Sequence, residues 1–170
     1  VQALLPYLHQ HNIPVIGGDN TTATWTSDSL LFPLGTTLGE VVAGDYRTAH
    51  QRGLTKLGLV YCVEAPACTF VHEYTNNGGA TRAGEELIYQ GQVSITQPDY
   101  TAQCLGAQSA GAQVIFLALD GNSMERFAAS CSRQNYHPVY LATAYQSTID
   151  MEGNKDLEGM LAAAQEFPGW

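Results

Sequence analysis

The chain has 170 residues and a mass of 18.3 kDa, a size that allows one domain or one lobe of a larger protein. Apolar residues make up 45% of the sequence and charged residues 14%, a balance that excludes intrinsic disorder. Seven basic against 16 acidic residues give a formal net charge of −9, which argues against nucleic acids and anionic membranes as partners.

Short apolar runs alternate with stretches of helical periodicity along the chain. The runs predict six strands, over 13–16, 57–61, 86–89, 114–117, 139–141 and 159–162. The stretches between them predict five helices, over 2–12, 38–52, 68–82, 99–110 and 122–135. Continuously apolar strands separated by helices are typical of an α/β fold, a doubly wound and mostly parallel sheet with helices on both faces.

Capping residues support three of the predicted helix ends. Asp99 stands where its side chain would accept hydrogen bonds from the first free amides of the fourth helix. Gly53 and Gly111 follow two helices at positions where a left-handed residue is favoured. The third predicted helix is interrupted by Asn-Asn-Gly-Gly at 76–79, and we expect it to be kinked or short because glycine disfavours a helix interior.

A long polar stretch, 17–28, follows the first predicted strand and is too long for a routine connection. The segment 31–35 then predicts an extended backbone, because Pro33 disfavours helix at Phe32. We interpret this segment as a crossing between two lobes. The sequence starts within a predicted helix and stops just after an apolar run, so we expect a piece of a longer protein.

Four cysteines, an even number, favour two disulfides. Cys62 and Cys68 flank a predicted strand-to-helix loop, whose ends can approach to the distance that a disulfide needs. Cys104 and Cys131 lie on successive helices, which a doubly wound sheet places side by side on one face. Two disulfides would indicate an oxidising compartment.

Two alternatives for the cysteines stay open. Cys68 lies at a predicted helix start, where the helix dipole favours a thiolate, and His72 follows at i+4 on the same face. Such a pair would fit a thiol-dependent enzyme. The other alternative is four buried thiols in a cytosolic protein.

The sequence contains no motif that binds a cofactor or a metal. It lacks Gly-rich nucleotide-binding loops, a G-x-S-x-G nucleophile and an H-E-x-x-H zinc motif. The five histidines predict ordinary surface or half-buried side chains. We therefore expect no cofactor and no metal.

Three parts of the sequence together resemble one family. Residues 53–61 resemble the strand that opens the second lobe of type I periplasmic binding proteins. Residues 99–105, followed by 110–116, are similar to a helix–strand unit of the branched-chain amino acid (leucine/isoleucine/valine-binding) type, and 158–161 resemble the strand that heads back to the first lobe. The resemblance covers essentially the whole chain, and the order and spacing of the parts make it specific.

The resemblance implies two Rossmann-like lobes with a ligand clamped between them. Residues 1–34 would be the end of lobe one plus a crossing segment, 35–166 the second lobe, and 167–170 the start of the return crossing. The family would make the chain part of an exported solute-binding component of an ABC importer, periplasmic or anchored outside the membrane. Its ligand would be an amino acid or a related carboxylate, bound without chemistry, and its partners the permease subunits.

In such a fold, ligand contacts lie beyond the carboxyl ends of the strands. This rule and the resemblance together predict ten ligand-binding residues: Asp19, Asn20, Thr21, Thr22, Trp25, Glu64, Asp120, Asn122, Thr143 and Tyr145. Asp120 is the predicted partner of a ligand ammonium, with a role as N-cap of the following helix as the alternative. Trp25 and Tyr145 would either line the apolar part of a ligand or pack in the interior.

Two further classes of function stay open, because a fold does not decide a function. The same two-lobed fold serves as the ligand-sensing domain of receptors and transcriptional regulators, but a cytosolic regulator should contain no disulfides. A flavodoxin-like or thiol-dependent enzyme should contain a free, reactive Cys68.

Overall fold

The computed structural model describes residues 1–19, 22, 24–148 and 151–165. Its first elements include the two strands of a small parallel sheet. They are a 3-10 turn Gln2–Leu4, α1 Leu5–His11, β1 Val15–Asp19, α2 Thr24–Ser27 and β2 Leu31–Leu34. The extended segment predicted around Pro33 is therefore the second strand of this small sheet.

The remaining described elements build a larger parallel sheet with flanking helices. They are α3 Leu38–Gln51, β3 Lys56–Cys62, α4 Pro66–Tyr74, a π-helical turn Thr75–Gly79, α5 Ala80–Ala83, β4 Glu86–Val93, α6 Thr101–Ala110, β5 Val114–Ala118, α7 Gly121–Ser132, β6 Val139–Thr143, 3-10 turns Ala144–Gln146 and Lys155–Leu157, and β7 Leu161–Ala163. The strand order is β4-β3-β5-β6-β7, and every neighbouring pair is parallel. The predicted α/β architecture is confirmed.

β5 is the central strand of the larger sheet, and all of its residues are buried. Val114, its first residue, lies opposite Leu57 of β3 on one side and opposite Val139 of β6 on the other. Because all neighbouring pairs are parallel, the carboxyl ends of the strands meet at one edge of the sheet. That edge is where the sequence predicts ligand contacts.

Every predicted strand has different bounds in the structure, and the differences are largest for the first, third and last predicted strands. β1 begins at Val15 instead of residue 13, and β4 continues to Val93 instead of ending at residue 89. The last strand begins at Leu161 instead of residue 159, because Gly159 has a φ of 79° and lies in a turn that an extended strand cannot include.

The predicted left-handed residues at two helix ends are confirmed, whereas one predicted N-cap is wrong. Gly53 and Gly111 have φ values of 76° and 79°. The N-cap of α6 is Tyr100, not Asp99. Asp99 lies one residue earlier, and its Oδ1 accepts a hydrogen bond from the Thr101 amide at 2.9 Å, so its carboxylate still binds a free amide of this helix.

The predicted interruption of the third helix is also confirmed. α4 and α5 are separated by the π-helical turn, in which the backbone angles of Asn77 and Gly78 lie outside the helical region. A side chain at Gly79 would lie 2.5 Å from the carbonyl oxygen of Tyr74, so the turn requires glycine there.

α3 is the longest described helix, with 14 residues. Thr37 caps it: the Thr37 side chain accepts from the Glu40 amide, and the Glu40 carboxylate accepts from the Thr37 amide. The hydroxyl of Thr36 also donates to Glu40, and these bonds lower the pKa of Glu40. Within the described ranges, no helix is long and apolar enough to cross a bilayer.

The structure contains both disulfides that the topology predicts. Cys62, at the end of β3, is joined to Cys68 of α4, with the two Cα atoms 5.4 Å apart. Cys104 of α6 is joined to Cys131 of α7, with the Cα atoms 5.1 Å apart. No cysteine is left free, so the structure contradicts both the reactive-thiol and the four-thiol alternatives.

The two disulfides should differ in how much they stabilise the fold. The Cys104–Cys131 bond closes a sequence separation of 27 residues and the Cys62–Cys68 bond one of 6. The entropy of loop closure then predicts a loss of about 3.5 kcal/mol for Cys104→Ala/Cys131→Ala and about 2 kcal/mol for Cys62→Ala/Cys68→Ala. Urea denaturation of both double variants measures these losses.

Each of these variants removes two sulfurs, so the other variant serves as the matched control. A larger loss for Cys62→Ala/Cys68→Ala would contradict the assignment. Free thiols in the oxidised wild-type protein, found by non-reducing peptide mapping, would contradict the pairing itself.

Candidate functional site

A cavity of about 300 Å³ opens at the carboxyl edge of the larger sheet. Its wall includes the last residues of three strands: Cys62 of β3, Ala118 of β5 and Thr143 of β6. Most of its lining side chains are apolar, among them Leu38, Val71, Ile95, Phe116 and Leu119. The cavity has the location and apolar lining typical of small-molecule sites in parallel α/β folds.

The Cys62–Cys68 disulfide is part of the cavity wall, because both of its cysteines line the cavity. The bond closes the loop that connects β3 to α4. His72, the predicted base for a Cys68 thiolate, instead stacks its ring on that of Tyr61, with the centroids 4.3 Å apart. This part of the cavity is thus an apolar wall and not a nucleophile with its base.

Asp120 lines the cavity and is also the N-cap of α7. Its Oδ1 accepts from the Ser123 amide at 3.1 Å, and its Oδ2 accepts from the Ser123 hydroxyl at 2.6 Å. The structure therefore contains the capping role that the sequence left as the alternative. The side chain remains exposed at the cavity, where its carboxylate can accept a further hydrogen bond.

Thr143, Tyr145 and Gln146 bring the end of β6 and the following 3-10 turn into the cavity wall. Thr143 is buried and forms a capping box with Gln146, whereas Tyr145 is 56% exposed. The Gln146 amide group is fully engaged with the backbone: its Nε2 donates to Leu117 and Leu119 carbonyls, and its Oε1 accepts from the Thr143 amide. Gln146 thus holds the carboxyl ends of β5 and β6 together.

Glu64 and Asn122 do not line this cavity. Glu64 instead holds the residues that follow β4: its Oε1 accepts from the Ser94 hydroxyl at 2.5 Å and from the Ile95 amide at 3.2 Å. The Ser94 hydrogen bond is the main cause that lowers the pKa of Glu64. Asn122 is an exposed residue in the first turn of α7.

The predicted contacts near the small sheet are only partly within the described residues. Asp19 ends β1, but its side chain, together with Asn20 and Thr21, lies outside the described part. Thr22 is half-buried, and Trp25 belongs to α2. The Trp25 ring packs directly on Gly18, where an added Cβ would lie 2.3 Å from it. Neither Thr22 nor Trp25 lines the cavity described above.

Gln165 is a cavity residue that the sequence prediction missed. It follows β7, and it pairs with Thr36, which follows β2: the Thr36 amide donates to the Gln165 carbonyl, and the Gln165 Nε2 donates to the Thr36 carbonyl. The rule applied to the other strands would have found Gln165, because it also lies beyond the carboxyl end of a strand.

A buried carboxyl group ties β7 to α3. Asp45 is 1% exposed, and its Oδ1 accepts from the Ala163 amide at 2.8 Å. Its Oδ2 has no hydrogen-bond partner among the described residues. Burial raises the pKa of Asp45 to about 8, although the bond from Ala163 opposes this rise. Because β7 leads into Gln165, Asp45 helps to fix this side of the cavity.

Among the described residues that line the cavity, Asp120 is the only charged one, and none is Lys, Arg or His. In the same described ranges, no group of His, Cys, Asp and Glu is arranged to hold a metal ion. The cavity suits an apolar body with a hydrogen-bond donor or a positive charge, and it offers no cation to a carboxylate.

The family model described as periplasmic binding protein matches residues 1–170, and the chain belongs to this family. The resemblance on which the sequence prediction depends is thereby confirmed. Among curated proteins, none matches the chain significantly.

Solved structures share the fold at low sequence identity. An extracellular ligand-binding receptor from Rhodopseudomonas palustris HaA2 has a TM-score of 0.76 at 13% identity, over 93% of this chain and 45% of that one. A branched chain amino acid ABC transporter from Thermus thermophilus with bound valine has a TM-score of 0.75 at 18% identity, over 90% of this chain and 41% of that one.

An R. palustris solute binding protein of an ABC transporter, in complex with 4-hydroxybenzoate, has a TM-score of 0.71 at 12% identity, over 92% of this chain and 43% of that one. The chain therefore spans less than half the length of each of these three structures.

The capping role of Asp120 gives a prediction for stability. Asp120→Ala removes both bonds to Ser123 and should lower the free energy of unfolding by about 1 kcal/mol. Asp120→Asn keeps an acceptor oxygen at the cap and should stay within a few tenths of a kcal/mol of the wild type. Urea denaturation measures both, and equal losses for the two variants would contradict the capping role.

Asp45 gives a prediction for the pH dependence of stability. Its folded-state pKa of about 8 lies above the ordinary value of 3.8, so the folded protein binds a proton that the unfolded chain lacks between these values. The contribution of Asp45 to stability is therefore complete below pH 4 and is lost as the pH rises through 8. Between pH 5 and 8 the loss is at most about 1.4 kcal/mol per pH unit.

Asp45→Asn is the matched variant, because it keeps an oxygen for the Ala163 amide and does not titrate. As the pH rises from 5 to 8, the unfolding free energy of the wild type should fall relative to that of Asp45→Asn. Burial also raises the pKa of Glu85, to about 7, but this group is present in both proteins and cancels in the difference. A difference that is constant with pH would overturn the assignment.

Proposed function

We propose that the chain is part of the extracytoplasmic solute-binding component of an ABC importer, which holds a small carboxylated solute between two lobes and does not convert it. The observation that carries this proposal is the apolar cavity at the carboxyl edge of the parallel sheet. Its location is the one in which open α/β sheets bind ligands, and the family match over residues 1–170 supports the same assignment.

The two lobes would divide at the end of β2. Residues 1–34 would belong to lobe one and the crossing segment, 35–166 to lobe two, and 167–170 to the start of the return crossing. Exposed apolar side chains on the small sheet support this division: Ile16 is 80% exposed, Phe32 53% and Leu34 58%. Apolar surface of this kind is normally covered, and the remainder of lobe one is the proposed cover.

The solute would be a hydrophobic amino acid or an aromatic acid. The apolar wall of Val71, Ile95 and Phe116 suits a hydrocarbon body, and the described wall offers no cation as a partner for the solute's carboxylate. The polar stretch that contains Thr21 and Thr22 would supply donors to that carboxylate. Bound valine and bound 4-hydroxybenzoate in two proteins of similar fold agree with this class of solute.

The disulfides support an exported location and an importer role. Disulfides persist in oxidising compartments such as the periplasm, and they disfavour a cytosolic regulator with the same fold. The permease subunits of the importer would be the protein partners. The bonded state of Cys68 also disfavours a thiol-dependent enzyme.

Calorimetry on the complete protein tests the proposal. We expect saturable binding of at least one solute from a panel of valine, leucine, benzoate and 4-hydroxybenzoate, and a higher melting temperature in its presence because the solute binds only the folded state. The solute should be recovered unchanged after prolonged incubation. Residues 1–170 alone should bind the same solute much more weakly, since one wall of the cleft would be absent.

Three kinds of result would contradict this proposal. Steady conversion of a solute would show an enzyme. Failure of the whole panel to bind would remove the proposed class of solute. Equal affinity of residues 1–170 and the complete protein would show that the site needs one lobe only.

A further inference from the structure

Gln165 is held in place at the cavity while one of its polar atoms is left without a partner. It is 7% exposed, and its Nε2 donates to the Thr36 carbonyl at 3.0 Å. Because a carbonyl oxygen can only accept, this contact determines which end of the amide is the nitrogen. The other end, Oε1, is buried and has no hydrogen-bond partner among the described residues.

Three other polar side chains that line the cavity have hydrogen bonds within the fold. Gln146 uses its nitrogen and its oxygen on backbone groups, and Thr143 shares a capping box with it. Asp120 binds Ser123 through both oxygens. Gln165 thus differs from them in that it combines a fixed orientation, deep burial and an unused acceptor.

We propose that Gln165 Oε1 accepts a hydrogen bond from a donor group of the bound solute, a hydroxyl or an ammonium, and thereby selects solutes that carry such a donor. This inference rests on the proposed function. Buried polar atoms are almost always paired, and a solute that fills the cavity but has no donor would leave Oε1 unpaired. The Asp120 carboxylate and the lack of cations along the described wall also favour a solute that turns a hydrogen-bond donor toward this wall.

The test compares solutes that differ in the donor alone, on the complete protein. One pair is 4-hydroxybenzoate against benzoate, which tests a hydroxyl, and the other is valine against 3-methylbutanoate, which tests an ammonium. In the wild type, the donor-bearing member of at least one pair should bind about tenfold more tightly. In Gln165→Met, which keeps the length of the side chain but lacks the acceptor, this ratio should fall to about one.

Two further variants separate ligand selection from structural damage. Gln146→Met removes an amide that lines the same cavity and bonds only to the backbone, so it should weaken both members of a pair equally. Gln165→Glu, when protonated, can donate to the Thr36 carbonyl and keep its second oxygen as an acceptor, so it should retain the preference. If Gln165→Met does not fold, the donor preference of the wild type still tests the inference.

The outcomes distinguish this inference from the function on which it rests. Binding without a donor preference in the wild type, or a preference that persists in Gln165→Met, overturns the role of Gln165 and leaves the solute-binding function intact. A loss of preference in Gln146→Met as large as in Gln165→Met also overturns it. If no solute of the panel binds the complete protein, the proposed function fails and this inference fails with it.

Discussion

Parallel pairing around β5 is the constraint on which the rest of the structure depends. β5 is buried along its whole length, so its backbone groups can pair only with the neighbouring strands β3 and β6. Parallel pairing needs a crossover after each strand. It brings the last residues of three strands, Cys62, Ala118 and Thr143, to the same edge of the sheet. A slip of one residue would turn the side chains to opposite faces and would dismantle the cavity wall.

Much of this arrangement could be predicted from the sequence because the apolar runs are continuous. A run such as 114–117 fits a strand covered on both faces, and helical stretches on either side indicate parallel neighbours. The disulfide pairs followed from the same topology, since Cys104 and Cys131 are on successive helices. The order of strands could not be predicted in this way, because periodicity carries no information about which strands are adjacent.

The candidate site was predicted less completely than the fold. Asp120, Thr143 and Tyr145 line the cavity, but Glu64 stays outside it because its carboxylate is engaged by the Ser94 hydroxyl. Gln165 was missed because ligand contacts were predicted only beyond the earlier strands, although the predicted strand 159–162 also ends shortly before it. Its role depends on a long-range contact with Thr36, which no local pattern reveals.

The central proposal is that the cavity would hold the apolar body of a solute, with the solute's carboxylate toward the small sheet. A crystal structure of the complete protein with a bound solute from the panel tests this claim most directly. The account predicts electron density for the solute against Phe116 and the Cys62–Cys68 disulfide, with its carboxylate toward residues 19–25. Density for the solute outside this cavity, or with its carboxylate against Phe116, would contradict the account.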